Sequence, residues 1–190
     1  MLPVDPSLGR ARYDEDGYSL RISWPPQRSL FGGLFVAAWL GGWFFGEKSA
    51  IHQLTKGPAQ DDRGFLMFWL VAWTIGGTAA ALSLIWMMCG QEIVAIGPDG
   101  LTLRRQILGL GITRRYDPQH VTRLRVEPRP TDAFAWRTRG FVWGIGDGAV
   151  AFDYGAKTIR CGAALDEAEA RIVVARLIQR DRRLSTGGAA

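Results

Sequence analysis

The residues whose spacing could do chemistry are four arginines in two adjacent pairs, Arg104 with Arg105 and Arg114 with Arg115. If the chain turns about residues 108–111, Arg105 faces Arg114 and Arg104 faces Arg115 on paired strands. Like charges directly opposite destabilise a ladder, so something anionic has to offset them. Two readings stay open. Internal carboxylates such as Asp117, Glu127 or Asp153 are one. Anionic lipid headgroups are the other, because each basic group near a charged surface contributes on the order of 1 kcal/mol. Nucleic acid is not expected, since neither a recognition helix nor a stacking motif accompanies the arginines.

A second constellation lies in residues 128–148, where Phe134, Trp136, Phe141 and Trp143 alternate with Arg129, Arg137 and Arg139. Aromatics beside arginines suit a protein-binding surface or a membrane interface. The alternative is that the aromatics fold back onto a sheet. Phe134, Trp136, Arg137, Arg139, Phe141 and Trp143 are the candidate partner contacts. Enzymatic readings find less support. His52 and His120 stand alone, and Cys89 and Cys161 form no CxxC pair. Gly109, Gly111, Gly144, Gly146 and Gly148 lack a following helix whose N-terminus would hold phosphate. The expectation is a non-enzymatic protein with no cofactor and no metal.

The elements that must position these groups begin with two charge-free runs, residues 29–46 and 65–90. As helices they would extend about 27 Å and about 39 Å, against a bilayer core of about 30 Å. Two such helices inside a soluble protein would need a large surrounding domain, and a 190-residue chain does not supply one. Trp24 and Trp86 would then sit near one interface and Trp43 and Trp69 near the other, as amphipathic rings prefer.

Neither run holds Asp, Glu, Lys, Arg or His, which argues against an ion path built by this chain alone. Gly33, Ala37 and Gly41 in the first run and Ala72, Gly76 and Ala80 in the second form small-residue ridges at helical spacing. Their expected use is to pack the two helices face to face.

The net charge of +5 arises after residue 90. Arg10, Arg12, Arg21 and Arg28 precede the first run and Arg104 and Arg105 follow the second, against Lys48, Lys56 and Arg63 between them. This asymmetry predicts that both termini are cytoplasmic. The acidic cluster Asp14, Glu15, Asp16 ahead of the first run does not resemble a signal-peptide start, so that run is expected to persist as an anchor.

Residues 1–17 read as a polar, mobile terminus. Tyr18, Leu20, Ile22 and Trp24 then alternate with polar residues as a half-buried strand expected to pair with the C-terminal sheet. Further strands are expected at 92–96, 101–107, 112–116, 121–126, 141–143, 150–154 and 158–161. Asp166 followed by Glu169 opens a helix in capping-box fashion, running to about Leu184.

The string GAVAFDYGAKTIRCGAALDEAEARIVVARLIQR, residues 148–180, with LTLRRQILGLGITRRYDPQHVTRLRVEP, residues 101–128, resembles bacterial membrane proteins that carry a pleckstrin-homology-like domain after two transmembrane helices. The loop Gly97, Pro98, Asp99, Gly100 departs from the basic loop of phosphoinositide-binding relatives. The resemblance implies an α+β membrane protein: an N-terminal tail with one strand (1–28), a transmembrane α-helical hairpin (29–90), and a cytoplasmic β-sandwich or barrel of six or seven strands capped by a helix (91–190). It also implies the bacterial inner membrane, and a module that binds another membrane protein or itself as an accessory subunit. Anionic-lipid sensing through Arg104, Arg105, Arg114 and Arg115 is the alternative.

Overall fold

The computed structural model describes residues 9–26, 28–56, 63–127 and 148–185. The chain divides into two compact units, Arg28–Met88 and the remainder.

The first unit is a pair of helices, α1 (Leu30–Lys56) and α2 (Arg63–Cys89), each of 27 residues. Both are long and apolar enough to cross a membrane. Leu, Ala and Met favour the helix, and no proline interrupts either run. Their outward faces are apolar: Leu30, Phe31, Phe45, Phe65, Phe68 and Ile75 are all exposed.

The small-residue ridges do not form the seam as expected. Ala37, Gly41, Ala72 and Gly76 face outward, while Gly33 and Ala80 are half-buried. The buried glycine is Gly77. A Cβ there would stand 1.9 Å from the Trp43 ring, so the missing side chain makes room for an indole. Trp43 Nε1 donates to the Trp73 carbonyl at 3.1 Å, and Trp73 stacks on Trp69. Tryptophans fill the seam where a close backbone approach was expected, because one indole set into one glycine excludes a continuous ridge. Thr74 Oγ1 adds a polar contact, donating to Glu47 Oε1 at 2.5 Å.

The second unit holds eight strands among the described residues. β1 (Arg12–Glu15), β2 (Leu20–Trp24), β3 (Gly90–Gly97), β4 (Gly100–Ile107) and β5 (Leu110–Tyr116) form one antiparallel sheet in that order. β6 (Val121–Val126), β7 (Val150–Tyr154) and β8 (Lys157–Cys161) form a second. Helix α3 (Glu167–Arg180) and a 3-10 turn (Arg182–Ser185) follow β8. The helix therefore stops at Arg180, short of the expected Leu184.

One core joins both sheets and α3. Leu20, Ile22, Trp24, Val94, Ile96, Leu101 and Leu103 meet Val121, Val150 and Phe152, with Leu165, Val173 and Leu177 from the helical end. The expected capping box is present: Glu169 N donates to Asp166 Oδ1 and Asp166 N donates to Glu169 Oε2.

The N-terminal stretch is not a separate tail. It supplies two strands, and β2 lies inside the sheet between β1 and β3. Trp24 is correspondingly buried in the core and is not an interfacial ring. Tyr18 leaves the buried face because it sits in the β1–β2 turn, where Asp16 Oδ1 accepts from the amides of Tyr18 and Ser19. Those hydrogen bonds hold the Asp16 carboxyl below its usual range. The α1 and α2 helices are thus inserted between two hydrogen-bonded neighbours, β2 and β3, whose register pairs Trp24 with Glu92 and Leu20 with Ile96.

Candidate functional site

β4 and β5 carry the four arginines, and a two-residue turn, Leu108 and Gly109, joins the strands. Both residues have positive φ, 51° and 86°, as a type I′ hairpin requires. The expected four-residue turn does not occur, and the register changes with it. Arg105 pairs with Ile112, Arg104 with Thr113, Leu103 with Arg114 and Thr102 with Arg115. No arginine faces another across these strands. Leucine at positive φ is uncommon enough that the shorter loop was not legible beforehand.

Each arginine has its own environment. Arg105 turns inward and meets Glu92 at 2.8 Å, a carboxylate on β3 that shares the inward parity of Val94 and Ile96. Glu92 is buried, and its Oε2 also accepts from Trp24 Nε1 at 3.0 Å and from Gly162 N at 2.9 Å. Arg105 Nη2 reaches the Arg160 carbonyl as well. One carboxylate therefore ties β2, β3, β4 and the segment after β8 together. It was missed because a charged residue within an apolar strand reads as solvent-facing, although its even spacing with Val94 and Ile96 was the available signal.

The carboxylates first considered for these arginines are engaged elsewhere. Asp153 binds Arg123 at 2.8 Å and Arg125 at 3.2 Å, and Glu127 binds Arg125 at 2.6 Å and also Arg160. The Thr158 hydroxyl, then Arg125 and Arg123, hold the Asp153 carboxyl below its usual range. Asp117 caps the 3-10 turn Pro118–His120 and lies 3.5 Å from His120 Nδ1.

Arg104, Arg114 and Arg115 are left without a carboxylate among the described residues. Arg104 instead donates from Nη2 to the Gly109 carbonyl at 2.7 Å and so braces the turn. Arg114 and Arg115 are exposed on β5, a sheet edge on which only Tyr116 is buried. No protein-family model and no curated protein matches this chain.

Phe134, Trp136, Arg137, Arg139, Phe141 and Trp143, with the strand expected at 141–143, lie outside the described residues. No group of three or more His, Cys, Asp or Glu side chains that could hold a metal occurs among the described residues. Cys161 is buried beside Glu92, and burial pushes its thiol far above the ordinary range, so it stays a protonated small hydrophobe.

Proposed function

We propose that this chain is a non-enzymatic integral membrane protein of the bacterial inner membrane, with both termini cytoplasmic, whose α1–α2 hairpin spans the bilayer. It displays a pleckstrin-homology-like module that binds a protein partner as an accessory or assembly subunit of a membrane complex. Support for the anchor is the apolar outward surface of two 27-residue helices, which in water would be a large exposed patch. Support for the module is its pair of antiparallel sheets ending in one helix.

The observation that carries the binding function is β5. Among the described residues it is a seven-residue sheet edge, free of proline, exposed at every residue but Tyr116 and bearing two arginines with no carboxylate partner. Natural sheets usually blunt such an edge, and an open one accepts a further strand. The partner's strand would carry acidic residues that reach Arg115.

Extraction in mild detergent tests this. A defined polypeptide should accompany the protein and be lost when Arg114→Glu and Arg115→Glu are combined, while the module stays folded. Anionic lipid co-purifying with no polypeptide supports the second reading, lipid sensing through Arg104, Arg114 and Arg115, which the same missing carboxylates favour. An active periplasmic-only reporter fused at the C-terminus refutes the orientation.

A further inference from the structure

The tip of the β4–β5 hairpin is apolar where it need not be. Leu108, Leu110 and Ile112 are 80%, 82% and 71% exposed. Besides Tyr18 they are the exposed large apolar side chains of the sheet unit among the described residues. A type I′ turn favours Asn or Gly at its first central position, and leucine at a φ of 51° costs energy there. Neither the turn nor solubility in water asks for leucine at this position.

The register says which end of the sheet this is. Gly90 follows the last residue of α2 and pairs with Ile107, which in turn pairs with Leu110. Trp24, the last residue of β2 before the chain runs to α1, pairs with Glu92. Both points where the helices join the sheet lie at the end that carries Leu108. Tyr18 lies near the opposite end, beside the pairing of Leu20 with Ile96.

Charge follows the same axis. Ile112 stands about 7 Å and Arg114 about 14 Å behind Leu110 along the strand, and Arg104 is fastened to the turn itself. Leucines leading and arginines trailing, with long side chains able to reach toward phosphates, match an interface that is apolar inside and anionic at its surface.

From this arrangement we infer that the hairpin tip is a membrane-contact site: Leu108, Leu110 and Ile112 enter the interface of an anionic bilayer, and Arg104 and Arg114 meet its headgroups. This rests on the membrane reading above and goes beyond it, since it fixes which end of the module touches lipid.

The test uses the full chain with Cys89→Ser in vesicles, one with Leu110→Cys, one with Asp99→Cys and one with Ile75→Cys, each carrying an environment-sensitive fluorophore. Cys161 is buried and its thiol stays protonated, so it does not compete for label. Nitroxide-labelled lipid should quench the probe at Leu110→Cys several-fold more than at Asp99→Cys, which lies about 24 Å away at the other end of β4. Arg114→Glu should reduce that quenching several-fold in phosphatidylcholine vesicles containing phosphatidylglycerol. An unquenched probe at Leu110→Cys with a quenched one at Ile75→Cys overturns the contact and leaves the membrane anchor standing. An unquenched probe at Ile75→Cys overturns the anchor itself and the contact with it. Equal quenching at Leu110→Cys with and without phosphatidylglycerol overturns the role of the anionic headgroups.

Discussion

The helical unit and the sheet unit distribute apolar side chains in opposite ways. α1 and α2 turn Phe31, Phe35, Phe45, Phe65 and Phe68 outward and place polar contacts, Trp43 to Trp73 and Thr74 to Glu47, between the helices. The sheet unit buries Trp24, Phe152, Leu101 and Leu165 and leaves Arg114 and Arg115 outside. Two opposite rules in a single chain are what the proposed membrane anchor and water-facing module call for. The hairpin tip is where the sheet unit departs from its own rule, and it does so beside the residues that lead to the helices.

Separating the two regions is the hardest test of this contrast. Because β2 and β3 are neighbours, replacing residues 25–89 with a short Asn-Gly-rich turn should give a water-soluble β-rich protein that unfolds cooperatively. Recovery only as aggregate would mean that the two units are not independent. In that soluble variant Glu92→Ala should cost about 3–5 kcal/mol by chemical denaturation, since it strands the Arg105 guanidinium, Trp24 Nε1 and Gly162 N together. Glu92→Gln should recover part of the loss; a cost near zero for Glu92→Ala would sink the account of Glu92 as a tie between strands.

Within the hairpin of the full chain, Gly77→Leu should destabilise by about 1–3 kcal/mol because it overlaps Trp43. Gly76→Leu and Gly41→Leu, both facing outward, should stay within about 0.5 kcal/mol. Cysteine cross-linking across the seam reads the difference, and the reverse order would restore the small-residue ridge.

The smallest effect is a pH dependence. The folded Asp153 carboxyl titrates below its ordinary value of 3.8, so its contribution is present above that value and fades as pH falls through the folded one. Wild type should exceed Asp153→Asn by on the order of 1 kcal/mol at neutral pH. The gap should begin to narrow below about pH 4 and close as pH falls through the folded value; a gap that persisted in strong acid would assign the effect to shape instead of charge.

Much of the sheet unit was legible because short runs rich in β-branched and aromatic residues are bounded by turn residues. β6 and β7 fall at the expected residues, and the turn at Tyr154 and Lys157 and the capping box of α3 follow local chemistry. β1 was not legible: its sequence, Arg12–Glu15, has no apolar alternation and is held by its neighbour. The arginine register failed for a different reason, since one leucine at positive φ shortened the turn and shifted every cross-strand pair. In the helices, length and hydropathy were readable from composition, whereas the seam was not. Whether a glycine faces a partner depends on where the nearest indole points, and spacing alone does not encode that.

The insertion of α1 and α2 between β2 and β3 also sets an order on biogenesis. β2 leaves the ribosome about 65 residues before β3, an interval of several seconds at ordinary synthesis rates. A lone β1–β2 pair is marginal in water, so Leu20, Ile22 and Trp24 wait with their apolar faces uncovered. If the helices span a membrane as proposed and one of them fails to insert, β3 would emerge on the wrong side and Glu92 would not meet Trp24. Deleting residues 63–88 should accordingly leave residues 20–24 open to protease, whereas protection there would show that β2 finds cover without β3. On the proposed membrane reading, the sheet closes only on a chain that has crossed the membrane twice, which would make its core a built-in inspection of topology.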